Sequence, residues 1–279
     1  MSCTGAIAVA CRPAACHHAI VTDDLLLDRA RGLWTGLAGA RVAFTGSGID
    51  VGVSARSLLC PAGWVGIVEL GNAAIATAPD DDVAGIVRRA LGDLPAAART
   101  DPAVIGGRLP MAEALGPATL AYCDEAGFRP IVSSAVETVR AGGNDVQTLL
   151  ARVPAEEAGE SGLAEITSAA FVVRAGSDVI AAAGYRTWTG RTAHLSVLTV
   201  PAERGRGLAR VVAAAAVAHA LDAGLLPQWR ARPPASRRVA RALGFRELGA
   251  QLSIRLLPAD PPWRERPPQC GALPADGID

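Results

Sequence analysis

The consecutive residues Arg204, Gly205, Arg206, Gly207, Leu208 and Ala209 form the part of this chain whose types and spacing point most directly to chemistry. Two glycines let a turn curl until successive backbone N–H groups converge on one spot, and Pro201 lies just before them. The alanine-rich run that follows is patterned as a helix, which adds unpaired N-terminal donors and the positive end of its dipole. Such a place suits a pyrophosphate. Arg204, Arg206 and Arg210 bring planar, permanently charged forks to further phosphate oxygens. A phosphorylated ligand is the expectation.

Spacing separates the glycine motifs that compete for this segment. The chain has 27 Lys plus Arg and every one is Arg, so the lysine of a Walker loop is missing. A dinucleotide fingerprint needs a third glycine, where this chain has Leu208, Ala209 and Arg210, and an acidic residue on a second strand that does not follow. What remains, Arg204-x-x-Gly207-x-Ala209, resembles the (Gln/Arg)-x-x-Gly-x-(Gly/Ala) signature of the GNAT superfamily of acyl-CoA N-acyltransferases. The strand-like run Leu195, Ser196, Val197, Leu198, Thr199 and Val200 precedes it where the family has its central strand. Residues 235–246, ending in Leu243-Gly244-Phe245-Arg246, resemble the family's last helix and its terminal Leu-Gly-Phe. The resemblance covers roughly 130–257.

It implies an α/β fold: a GNAT-like splayed mixed sheet flanked by helices in the C-terminal half, with a smaller α/β domain before it. It implies acetyl-CoA as cosubstrate, no metal, and a primary amine of a small molecule or peptide as acceptor. The pantetheine arm would run along Leu198, Thr199 and Val200, and the pyrophosphate would meet the amides from Arg204 to Ala209. Arg210 and Ser236 complete the cofactor-binding set. The family's usual base positions on the motif strand are Ala193 and Leu195 here, with His194 between them. Strand alternation turns His194 to the opposite face unless a bulge intervenes. Glu160 and Glu165 are the other base candidates. The family's acid, a tyrosine, is replaced by Ala240, so Tyr185 stands in as acid candidate, and Pro233 replaces a common asparagine. A second reading is a non-catalytic acyl-CoA-binding sensor or interaction module with a degenerate site.

The elements that must position these residues are readable in outline. Residues 23–37 have a helical apolar pattern behind Thr22-Asp23 as N-cap. Residues 41–44 and 51–53 read as short strands around a glycine turn at Gly46 and Gly48, and 64–70 and 73–78 as further strands. Asp80, Asp81 and Asp82 cap and charge a helix running to about Leu91. Proline and glycine recur from 95 to 117, where only short elements are expected, and 115–122 reads as a connector. A domain boundary near 127 follows, giving an N-terminal domain at 1–127, an acyltransferase domain at 128–258 and a proline-rich, disordered tail at 259–279. In the second half, 131–140, 170–174, 179–187, 194–200, 226–232 and 245–256 read as strands, and 145–152, 154–161, 208–225 and 236–243 as helices.

Composition sets the outer limits. Half the residues are hydrophobic and the net charge is zero, which disfavours a nucleic-acid or membrane-surface partner. Arg230, Arg232, Arg237, Arg238 and Arg241 read as solvated arginines, some near the CoA 3′-phosphate. No apolar run is long enough to span a membrane, and Met1 to Ala10 lacks the basic start and apolar length of a signal peptide. A cytoplasmic protein is expected, with a homodimer left open. The scattered cysteines match no disulfide framework, and Cys11, Cys16, His17 and His18 fit no standard zinc spacing.

Overall fold

The computed structural model describes residues 15–258 of the 279. Cys11 and the 259–279 tail lie outside them, as do the side chains of Cys16, His17 and His18. In chain order the elements are α1 (Ala15–Ala38), β1 (Ile49–Val53), β2 (Val65–Leu70), β3 (Ala73–Ala78), α2 (Asp81–Leu91), α3 (Pro102–Gly106), β4 (Met111–Tyr122) and β5 (Glu137–Val139). They continue with α4 (Asn144–Leu150), α5 (Ala155–Ser161), β6 (Ala170–Ala175), β7 (Asp178–Trp188), β8 (Thr192–Thr199), α6 (Leu208–Asp222), β9 (Leu226–Ala231), α7 (Pro234–Ala242) and β10 (Arg246–Leu256).

One mixed sheet holds all ten strands in the order β1-β3-β2-β10-β4-β9-β8-β7-β6-β5. β1 with β3 and β8 with β9 are parallel, and the other pairs are antiparallel. Strands β2 and β3 are buried along their whole length because helices cover both faces. Trp34, Leu33 and Leu37 of α1 pack against Val68, Leu70 and Ile75, while Val87 and Leu91 of α2 pack against Ile67 and Ala76. Further along, α6 lays Val212, Ala213, Ala216, Val217 and Ala220 on β6, β7, β8 and β9. Small alanines there let the helix lie close to the sheet.

The last strand ties the chain together. After α7, β10 inserts between β2 and β4, so strands from either side of position 127 share one sheet. Gly249 permits the close approach, because a Cβ at that position would lie 1.8 Å from the Glu69 carbonyl oxygen.

Several elements differ from the sequence expectation. The first helix begins at Ala15, so Thr22 and Asp23 lie inside it and do not cap it. Residues 41–44 form no strand, and of 131–140 only Glu137–Val139 pairs. The largest difference is β4, a central 12-residue strand where proline and glycine suggested a connector. Its register with β10 jumps from Gln251↔Ala118 to Ser253↔Leu115, so a bulge absorbs Gly116 and Pro117 and the strand continues. Asp80 does cap α2, its carboxylate accepting the Val83 N–H at 2.9 Å.

Candidate functional site

Strand β8 is fully paired on one side and only briefly on the other. Against β7 its register runs unbroken from Ala181↔Thr199 to Trp188↔Thr192. Against β9 it holds only Thr192↔Leu226, Ala193↔Pro227 and His194↔Gln228. Beyond His194 the two strands part, because β9 stays stitched to β4 through Leu120↔Arg230 and Thr119↔Ala231. The result is a wedge with His194 and Gln228 at its apex, and the free backbone edge of β8 from Leu195 toward Thr199 forms one side. A cavity of about 1170 Å³ fills this wedge and reaches the glycine turn.

The turn has the conformation its sequence requires. Gly205 and Gly207 sit in the left-handed region, at φ +80° and +79°, where side chains are strained. A Cβ at either would meet nothing within 4 Å, so the backbone there is open to approach. Gly207 is the N-cap of α6 and no side chain bonds the helix's first amides. The leading N–H groups of a helix have no internal acceptor, so this end of α6 is free to hold an anion. The cavity wall also contains the Thr199 hydroxyl, which is buried and has no hydrogen-bond partner. An unpaired buried hydroxyl costs about 1–3 kcal/mol, and an amide of a bound ligand would satisfy it. These features suit an extended ligand that carries amide groups and ends in an anion.

Of the cofactor-side residues read from sequence, Leu198, Thr199, Arg204, Gly205, Gly207, Leu208, Ala209, Arg210 and Ser236 line the cavity. Val200 and Arg206 do not. The Val200 N–H bonds the Ile180 carbonyl at 3.0 Å, and Arg206 pairs with Glu203. Arg204 pairs with Glu157 of α5, and its Nε donates to the Thr199 carbonyl at 3.3 Å. Ser236 accepts the Trp229 Nε1–H at 2.9 Å.

The four residues read as acid or base are spread out. Glu160 lines the cavity and is held in an ion pair by Arg232. Glu165 does not line it; it pairs with Arg186 at 2.6 Å in an exposed position. Tyr185 is buried, its hydroxyl 2.9 Å from His219 Nδ1, and is likewise absent from the lining. His194 is in the lining at the apex. The unbroken β7–β8 register means no bulge turns it, so it points away from Ala193 and Leu195, which pack toward α6. That opposite face is where α5 borders the cavity.

His194 is tightly held. Its ring stacks on Trp188 at 4.2 Å and 13°, and its Nδ1 lies 3.0 Å from Gln228 Oε1. Gln228 Nε2 donates to the Tyr122 hydroxyl at 3.1 Å, and Trp34 Nε1 donates to that same oxygen. With the amide so oriented, His194 Nδ1 carries the hydrogen and Nε2 is the acceptor nitrogen. Burial, reinforced by the nearby Arg230 charge, lowers the imidazole to about 4, so the ring is neutral at physiological pH.

Sequence reasoning missed the far wall. Leu58, Leu59, Cys60 and Pro61 from the first half line the cavity together with Leu115, Ala118, Gln251 and Ser253. Gln251 and Ser253 both donate to the Leu59 carbonyl oxygen, which fixes that loop against β10. No local pattern marks these residues, since the pairing of β10 with β2 and β4 gathers them. Among the described residues no group of three or more His, Cys, Asp or Glu could hold a metal, and no helix is long and apolar enough to cross a membrane.

The chain was compared with known proteins. Residues 162–250 match the family model described as GNAT acetyltransferase. No curated protein matches. Among solved structures, a GNAT-family protein from Novosphingobium aromaticivorans shares 23% identity over 52% of this chain and 65% of its own, with a TM-score of 0.44. A GNAT-family acetyltransferase from Colwellia psychrerythraea shares 14% over 55% and 59%, at 0.41. A GCN5-related N-acetyltransferase from Kribbella flavida shares 15% over 55% and 62%, at 0.38. The chain thus spans less than two thirds of the length of these structures. The family match runs from before β6 into the first half of β10, including the glycine turn and the whole length of β8, and over that C-terminal region the chain is similar to the GNAT superfamily.

Proposed function

We propose that this chain is an acyl-CoA-dependent N-acyltransferase that moves an acetyl group from acetyl-CoA to a primary amine of a small molecule or peptide. The observation that carries the reading is the β8–β9 wedge running directly into an open glycine turn at the uncapped start of α6. In this reading the pantetheine amides pair with the free edge of β8, and the pyrophosphate lies on the amides from Gly205 to Ala209. The thioester then reaches the apex beside His194.

The amine nitrogen attacks the thioester carbonyl carbon, the C–N bond forms, the C–S bond breaks and CoA leaves as thiolate. The ammonium proton must depart first. No free carboxylate is placed at the apex to take it: Glu160 is ion-paired, Glu165 lies outside the cavity, and Ala193 and Leu195 are packed under α6. The ammonium proton passes to water, with His194 Nε2 as an acceptor for that water; the second proton leaves the nitrogen as the amide forms and, through the same water, reprotonates the departing thiolate. Placement of the reactants supplies most of the acceleration.

The packing of Ala193 and Leu195 also favours a second reading, an acyl-CoA-binding module without turnover. An assay of thiol release from acetyl-CoA across an amine panel decides between them. Amine-dependent release supports the acyltransferase. Binding of acetyl-CoA with no release for any amine supports the second reading.

A further inference from the structure

Inside the wedge, close to the apex and on the face that carries His194, β9 presents Arg230, two residues after Gln228 in the direction in which β8 and β9 diverge and therefore about 7 Å along the strand. Arg230 lines the cavity, and its Nη1 donates to Gln251 Oε1 at 3.1 Å. Of the other arginines that line the cavity, Arg204 is paired with Glu157 and Arg232 with Glu160, while Arg210 and Arg238 line it from α6 and α7. Arg230 has no carboxylate partner among the described residues. Its charge reaches the apex, since it contributes to lowering the His194 imidazole. Beside it, Leu58 and Leu115 line the cavity while 70% and 43% exposed, large apolar side chains with no cover.

A solvent-accessible guanidinium on a cavity wall, steadied by a glutamine and without a carboxylate partner among the described residues, suits a planar anion that accepts two parallel hydrogen bonds. In the proposed reading the pyrophosphate lies on the glycine turn beyond Thr199, whereas Arg230 stands two residues from the apex, which assigns its anion to the other substrate. We propose that the amine acceptor is a small molecule carrying a carboxylate and an apolar substituent, of the apolar amino acid type. Arg230 holds the carboxylate, and Leu58 and Leu115 seat the substituent. This inference rests on the acyl-transfer reading and assigns the N-terminal half a role as the acceptor-side wall, through Leu58 to Pro61 and the Leu59 carbonyl fixed by Gln251 and Ser253.

The test pairs apolar amino acids with analogues that lack the carboxylate: leucine with leucinamide and 3-methylbutylamine, and phenylalanine with phenethylamine. Thiol release from acetyl-CoA is measured, each rate referred to its free-amine fraction, and acetyl-CoA binding is followed by calorimetry. At least one carboxylated amine is expected to exceed its decarboxylated partner in kcat/KM by about 10–100-fold. Arg230→Gln should abolish that preference, mainly through KM, and leave acetyl-CoA affinity and the decarboxylated amine within about threefold. Arg230→Lys, which keeps the charge without the fork, should recover part of it. Equal turnover of both partners, a preference that survives Arg230→Gln, or turnover of the decarboxylated amines with none of the carboxylated ones would each overturn this inference. Failure to bind acetyl-CoA, or binding with no release for any amine, would instead overturn the acyl-transfer reading on which it rests.

Discussion

His194 occupies the last paired position before β8 and β9 separate, and stacking on Trp188 with a bond to Gln228 leaves the ring little freedom. Its imidazole is lowered to about 4, so it is already neutral throughout the range in which an amine acceptor is assayed. A base that weak assists through water and does not itself hold the reaction's proton. Single substitutions Glu160→Gln, Glu165→Gln and His194→Ala are therefore expected to lower kcat by less than about 100-fold each, the lower range of general-base assistance. Rate profiles from about pH 6 to 9 on folded variants check this. One variant losing more than that, together with the basic limb of its profile, would identify that residue as the base. The His194 ring should also show no titration above about pH 5 by NMR, whereas an inflection near 6.5 would mean that burial and the Arg230 charge do not depress it.

At the scale of elements, α7 and its terminal Leu-Gly-Phe serve first as architecture. Gly244 lies at φ +92°, and a Cβ there would come within 1.9 Å of the Gly127 carbonyl oxygen. The Phe245 N–H returns to the Ala240 carbonyl at 3.1 Å, closing the helix end. Gly244→Ala is expected to cost about 1–3 kcal/mol or more in urea denaturation, and a change near zero would contradict the clash. Glu247 on β10 binds Arg237 at 2.7 Å and Arg241 at 2.9 Å, and these partners hold its carboxyl at about 2, well below the ordinary 4.5. A depressed carboxylate contributes stability above its unfolded pKa and loses it as pH falls through the folded one. The melting difference between wild type and Glu247→Gln should accordingly be full at neutral pH and shrink between about 4.5 and 2, and a difference constant with pH would show that the ion pairs are not its source. The glycine turn, β8 and α6 were legible because their glycine spacing and three-and-four periodicity are local. β4 was not, since Gly116 and Pro117 look like loop residues until the bulge opposite Gln251 accommodates them.

Over the whole molecule the sheet ignores the sequence boundary near 127. β10 pairs with β2 and β4, and β9 pairs with β4, so the far wall of the cavity is assembled by contacts far apart in sequence. That is why Leu59, Gln251 and the guanidinium of Arg230 carried no readable pattern, and why the five arginines at 230–241 looked alike although Arg237 and Arg241 grip Glu247 while Arg230, Arg232 and Arg238 line the cavity. A shared sheet also predicts one cooperative thermal transition, and two well-separated transitions would mean the halves hold together independently. The central claim is that acyl-CoA lies along the β8 edge with its pyrophosphate on the glycine turn. Titration calorimetry of acetyl-CoA against wild type and Gly207→Val tests it most directly, because a Cβ at φ +79° meets no protein atom within 4 Å, so a branched side chain there strains the turn locally and obstructs the approach. The account predicts saturable binding to wild type and an affinity at least about tenfold weaker in a variant that remains folded. Absence of wild-type binding, or equal affinity in the folded variant, would contradict it.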